Sequence, residues 1–249
     1  MIVKKRLTVI QVLLILIFVG CCGYLGKYFY DSHKAESGFD ELKKVVEKTE
    51  RADATDGYID KRADNGMLEC YYSLYQQNND MVGWIKIPDT PVDYPVVKYS
   101  DNEFYLHKNF NKEYQFSGIP FLDYQSNDES VNKIIYAHNM KNGAMFNNIT
   151  KYRKNDFASS HKIIRLLTKN GEEDYMVYSA YKTLANSQSY DYSFKDDNAF
   201  SEFVDMTNRN SIIDTGEKAT AEDKIITLST CTDTGRTANR FVVHAKLIK

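Results

Sequence analysis

The chain has 249 residues, 43% of them hydrophobic, with a formal net charge of −2. That length fits one globular domain with appendages, and the near-neutral balance excludes the basic footprint of a nucleic-acid binder. The four cysteines, Cys21, Cys22, Cys70 and Cys231, are too few and too scattered for a secreted disulfide scaffold.

Lys4-Lys5-Arg6 precedes a run from Leu7 to Gly26 that is almost wholly apolar apart from Thr8 and Gln11. Its length suits a bilayer span, and the basic cluster marks the cytoplasmic side. Residues 1–6 are then a cytoplasmic tail, 7–26 a transmembrane signal anchor, and the rest lies outside the cell membrane. Two alternatives stay open. One is a cleaved signal peptide, although no small-x-small cleavage site is obvious. The other is a lipoprotein signal ending at Cys21, a pattern that Phe18 fits poorly. All three export the chain.

Residues 27–66, rich in Lys, Glu, Asp and Arg, read as a solvated helical stalk or linker. The globular domain, 67–249, opens with a helix to about Gln77, on which Leu68, Tyr71, Tyr72 and Tyr75 recur at helical spacing and read as core. Strands follow over 82–87 and 92–99, the second kept near an edge or bend by Pro91 and Pro95. Asp101-Asn102 looks like a helix cap ahead of Phe104, Tyr105 and Leu106. A strand over 118–124 comes next, then one over 133–137 that ends in His138-Asn139-Met140. Short helices are expected over 143–152 and 156–161. Strands over 162–168 and 175–184 are joined at Asn170-Gly171 by a hairpin turn, and 196–208 is an amphipathic helix with Phe200, Phe203, Val204 and Met206. The closing segment reads strand, tight loop, strand: 224–231 ends in Cys231, a polar turn passes Asp233 and Gly235, and Arg240 opens 240–248. This is a mainly β chain with flanking helices, and about eight short strands favour a closed or nearly closed barrel over a doubly wound sheet.

A thiol at one strand end and a guanidinium opening the next strand sit on one rim if the strands are neighbours. A thiol acts as a nucleophile in its thiolate form, and nearby cations favour that form. Cysteine hydrolases and transferases add a histidine to carry the proton. His33 lies in the stalk, His107 and His161 fall on short helices among polar neighbours, and His244 fits a packed strand position. His138 ends an apolar strand, as Cys231 does. A bridge to Cys70 is the structural alternative for Cys231, and Arg236 in the loop is a second arginine to weigh against Arg240.

Taken together, Tyr136-Ala137-His138-Asn139-Met140, Thr227-Leu228-Ser229-Thr230-Cys231 and Arg240-Phe241-Val242-Val243 resemble the sortases, class B sortases in particular. The resemblance extends over most of the chain beyond the stalk, including Gly83-Trp84-Ile85, Tyr94-Pro95-Val96-Val97 with Asp101-Asn102, and Gly118 to Asp123. It implies an eight-stranded sortase-type β-barrel with N-terminal helices and a cysteine transpeptidase. Cys231 would attack the carbonyl of a Thr in a sorting signal near the C-terminus of a secreted protein, giving a thioester. His138 would protonate the departing amine and later take a proton from the incoming one, while Arg240 would hydrogen-bond the carbonyl and developing oxyanion.

By the same resemblance the accepting amine belongs to a peptidoglycan stem or cross-bridge, the signal is of the Asn-Pro-x-Thr kind, and Asn102, Leu106, Tyr190 and Ser229 line the substrate groove. Capping and core packing are the competing roles for those four. No cofactor is expected, and no compact acidic spacing marks a metal site. Two further functions stay open. A pilin-polymerising sortase would use a pilin lysine as acceptor, but a lid over the cysteine and a second C-terminal span are not evident. A non-catalytic, membrane-tethered peptide-binding barrel would leave Cys231 structural.

Overall fold

The computed structural model describes residues 8–50, 62–232 and 238–248. The expected tail (1–6) and the loop holding Asp233, Gly235 and Arg236 lie outside the described residues, as do 51–61 of the expected stalk.

The apolar run and most of the charged stretch after it form one helix, α1 (Val9–Glu50). Its first half is an apolar surface exposed on all sides, with Val9, Leu13 and Phe18 each more than half exposed. The second half departs from the solvated stalk expected of its charge. Phe39, Leu42, Val45 and Val46 recur every three or four residues and make a narrow apolar stripe. Phe39 and Val46 are buried by it, and the Phe39 ring meets Tyr94 edge-on at 5.1 Å. Asn142 also donates to the Ser32 hydroxyl over 2.8 Å, so the helix is strapped to a barrel loop. α2 (Glu69–Gln77) packs beside it, with Cys70, Tyr71 and Leu74 buried.

Eight strands close into a barrel in the order β1-β2-β3-β4-β7-β8-β6-β5. They are β1 (Met81–Lys86), β2 (Asp93–Val97), β3 (Phe121–Leu122), β4 (Asn132–Tyr136), β5 (Ile163–Thr168), β6 (Gly171–Leu184), β7 (Ile225–Cys231) and β8 (Asn239–Leu247). Two pairings are parallel, β2 with β3 and β4 with β7; the rest are antiparallel. Side chains alternate along each strand. Ile226 and Leu228 of β7 and Phe241, Val243 and Ala245 of β8 point into the core with Trp84, Ile85 and Val96. A smaller apolar cluster on the outside holds Tyr178 and Ile225 under Phe200, Phe203 and Val204 of α3 (Asp197–Asn210). The Asp196 carboxylate caps that helix by accepting from the Ala199 amide.

Two expected elements are shorter than the sequence implies. The strand over 118–124 shrinks to the two residues of β3, because Gly118 has φ +57 and turns the chain before it can pair. The helix over 143–152 is a 3₁₀ segment, Asn148–Arg153. The Asn148 side chain donates back to the Gly143 carbonyl and holds the preceding residues in a turn.

Candidate active site

The site forms where β4 and β7 end together. Their parallel register sets Ile135 opposite Leu228 and Tyr136 opposite Ser229. His138 and Cys231 each stand two residues beyond that last pair. Bonds beyond the strands lock the pair of chains: the Ala137 amide donates to the Ser229 carbonyl over 3.2 Å. The Thr230 hydroxyl donates to the Ala137 carbonyl over 2.8 Å. The Asn139 amide group donates to the Cys231 carbonyl over 2.9 Å. β8 runs antiparallel to β7 with Arg240 directly paired to Cys231. A parallel neighbour on one side and an antiparallel one on the other thus bring three strand termini to one rim.

Cys231 and Cys70 form no disulfide. Cys70 is buried on α2, while Cys231 is half-buried at its strand end. Thr227, Ser229 and Cys231 share the outer face of β7, with His244, Val242 and Arg240 as their partners on β8.

The backbone carbonyl of Leu106 lies 2.9 Å from His138 Nε2. A carbonyl only accepts, so Nε2 carries the proton and Nδ1 is left as the basic nitrogen. Burial lowers the His138 pKa below its ordinary value; the bond to Leu106 opposes that shift and the neighbouring His107 adds to it. The carbonyl is placed by Gly118, where a Cβ would stand 2.4 Å from the Leu106 oxygen, so only glycine fits.

Of the four expected groove residues, the structure joins Tyr190 and Ser229 through their hydroxyls at 2.8 Å. The Tyr190 ring stacks on Tyr136 at 5.9 Å. Burial pushes the Tyr190 hydroxyl up to about 12, with the Ser229 bond and the Arg240 cation pulling the other way. Tyr136 is also pushed up by burial and by Asp123, again opposed by Arg240. Asn102 sits at the far end of this array, donating to the Asp123 carboxylate over 2.9 Å and accepting from the Tyr124 amide. The 3₁₀ turn itself, Phe104–His107, is capped by Asp101, whose carboxylate accepts from the Glu103 and Phe104 amides. Leu106 is placed by its carbonyl against His138, and its side chain packs against the core cluster.

Sequence reasoning passed over Asp123, Tyr136 and Asn139 as site residues. Asp123 accepts from both Asn102 and Tyr136, which makes it the hinge of the array. Asn139 follows His138 directly, and that adjacency was the available signal. Two of the remaining histidines have other tasks. His161 stacks on Phe157 at 4.0 Å, and fully buried His244 bonds Thr227 and Tyr181. Among the described residues no three His, Cys, Asp or Glu side chains gather as a metal cage would require.

Comparison with known proteins supplies the context for this geometry. The family model described as "Sortase domain" matches residues 85–248. The chain is 32% identical to sortase B of Staphylococcus aureus over 249 residues, 99% of this chain and 98% of that protein. It is 31% identical to sortase B of Listeria monocytogenes over 228 residues, 90% and 89% of the two chains. The fold superimposes on the Staphylococcus aureus sortase B–substrate complex with a TM-score of 0.79 at 30% identity, covering 88% of this chain and 99% of that one.

Proposed function

The chain belongs to the sortase family and is a sortase transpeptidase; on that premise we propose that Cys231, His138 and Arg240 carry its reaction at the outer surface of a cell membrane. The substrate is a C-terminal sorting signal of a secreted protein, of the Asn-Pro-x-Thr kind, and the acceptor is a peptidoglycan amine. α1 is the anchor: it is long and apolar enough to cross a bilayer, with none of its apolar window buried in the protein.

The thiol proton of Cys231 passes to His138 Nδ1, the nitrogen that the Leu106 bond leaves basic. The sulfur adds to the threonine carbonyl, and the C–N bond breaks as the imidazolium returns its proton to the leaving amine. A thioester remains, dividing one difficult amide exchange into two easier steps. The incoming amine then gives a proton to neutral His138 as it attacks the thioester carbonyl, and the thiol is regenerated. Burial favours the neutral ring in the resting site, which suits a base that must accept a proton twice per cycle. Arg240 donates to the carbonyl oxygen as negative charge develops, a contact whose loss typically costs about 10²–10³ in rate. Asn102, Leu106, Tyr190 and Ser229 flank the groove that receives the signal.

The observation that supports this reading most is the β4–β7 register, which ends at Tyr136 opposite Ser229, each two residues short of His138 and the half-buried Cys231. The test uses the full chain in detergent with fluorogenic peptides bearing different sorting motifs and a peptidoglycan-type amine. Wild type should cleave an Asn-Pro-x-Thr peptide and accumulate a thioester visible by mass spectrometry, and Cys231→Ala should do neither. Equal inertness of both proteins towards every motif would return Cys231 to a structural role.

A further inference from the structure

We infer that His107 is a positioning residue for His138, clamping that ring face to face at the mouth of the site and setting a second titratable group against it. This rests on the proposed role of His138 as proton carrier. The two imidazoles lie 5.5 Å apart with planes inclined by 19°. His107 is itself held from behind. Its Nδ1 donates to the Phe116 carbonyl over 3.1 Å, and its ring stacks on Phe116 at 6.1 Å. Tyr114 leans against it at 6.3 Å, and the His107 carbonyl accepts from the Gln115 amide.

Consecutive residues of one 3₁₀ turn therefore grip His138 in two different ways. Leu106 fixes Nε2 with its carbonyl, but a single hydrogen bond leaves the ring free to swing about its axis. The face contact with His107 restrains that swing and so fixes where Nδ1 stands. Phenylalanine would serve as well for shape alone. Histidine adds a charge that can appear within a few ångströms of His138, and a like charge there disfavours the imidazolium. Other titratable or charged groups stand around the pair, among them Glu113, which precedes Tyr114 and lines the same groove. Cys231 and Arg240 lie across the strand ends, Tyr114 lies against His107, and Lys141 follows on the loop after His138. Lys108 is turned onto the Phe104 ring. Asp31 and Lys34 of α1 face Tyr114 and Phe116 across a groove of about 780 Å³.

The experiment combines an NMR titration of the His138 ring with peptide turnover across pH, on the full chain in detergent. His107→Phe keeps the face contact and loses the charge. The His138 midpoint should move up in pH, the activity limb that belongs to it should follow, and plateau kcat should stay within about twofold of wild type. His107→Ala loses both, and kcat should fall about tenfold with KM nearly unchanged, because a loosened ring costs rate rather than binding. An unmoved His138 midpoint in His107→Phe, or a normal kcat in His107→Ala, overturns the inference. His138→Ala run beside them separates the two readings. Retained turnover in that variant removes His138 itself, whereas an inactive His138→Ala with wild-type behaviour in both His107 variants removes only the clamp.

Discussion

Asn139 reaches across the parallel β4–β7 seam and donates its side-chain amide to the backbone carbonyl of Cys231 over 2.9 Å. Its own carbonyl oxygen accepts from the Asn147 amide group over 2.7 Å. The residue after the proposed base is thus tied to the strand end that carries the proposed nucleophile, and both are braced against the 3₁₀ segment beyond. Asn139→Ala removes both bonds, each worth about 1 kcal/mol net. The expected result is a modest drop in melting temperature with a kcat reduced about tenfold, since misplacement at a reacting centre costs more than the bonds themselves. A kcat equal to wild type would show that the strands alone fix the geometry.

Gly118 supports the site at one remove. Its φ of +57 strains any other residue, and a Cβ there would stand 2.4 and 2.6 Å from the Leu106 and Tyr105 carbonyl oxygens. Gly118→Ala should cost about 1–2 kcal/mol in backbone strain and push the Leu106 carbonyl out of line with His138. Loss of activity should therefore exceed what the fall in melting temperature explains. Calorimetry alongside peptide turnover measures both. Undiminished kcat in a destabilised variant would separate the Leu106 bond from catalysis.

How far the site could be read from residues alone depended on whether each feature is written locally. The eight strands and their order-independent closure followed from short β-branched runs, and Cys231, His138 and Arg240 stood out because each marks a strand terminus. The Leu106 carbonyl left no trace, because a backbone acceptor looks the same at every position. Asp123 was hidden for a related reason: its partners Asn102 and Tyr136 lie 21 and 13 positions away, so the array exists only once β3 and β4 pair. The buried stripe on α1 was masked by charge. Phe39 and Val46 are sparse among lysines and glutamates, and composition outvoted spacing.

Arg240 pairs with Cys231 across β7 and β8, and its cation opposes the upward pKa shifts of Tyr136 and Tyr190. If it stabilises the oxyanion through the planar fork of its guanidinium, lysine is no substitute. Arg240→Lys should lose about 10²–10³ in kcat with the peptide KM little changed. Turnover near that of wild type would move the role to another donor, with Arg236 the first to test.

The contact of α1 with the barrel is testable without any substrate. Phe39 is buried at 5% exposure against Tyr94, so Phe39→Ala should destabilise the protein by about 3 kcal/mol as a cavity opens. Thermal unfolding in detergent reads this directly. A helix that served only as a tether would show no change.

The pH dependence of stability should be carried in large part by His244. Its Nδ1 faces the Thr227 hydroxyl at 2.9 Å, and that hydroxyl already gives its one proton to Asn132. Nδ1 must therefore be the donor, which leaves Nε2 to accept from the Tyr181 hydroxyl 3.0 Å away. The neutral ring thus satisfies both nitrogens without placing a charge in the core. Burial holds the pKa at about 3 against an ordinary 6.5. Between those values the unfolded chain binds a proton that the folded one refuses. Stability then falls as pH drops below about 6.5, by about 1.4 kcal/mol per pH unit, and levels off near pH 3. Above 6.5 the group contributes no slope, since both states are neutral. His244→Asn retains a side-chain amide that can still bond Thr227 and does not titrate. Melting temperatures measured from pH 7 to pH 4 should fall more steeply for wild type than for that variant, and parallel curves would assign the acid sensitivity to other groups.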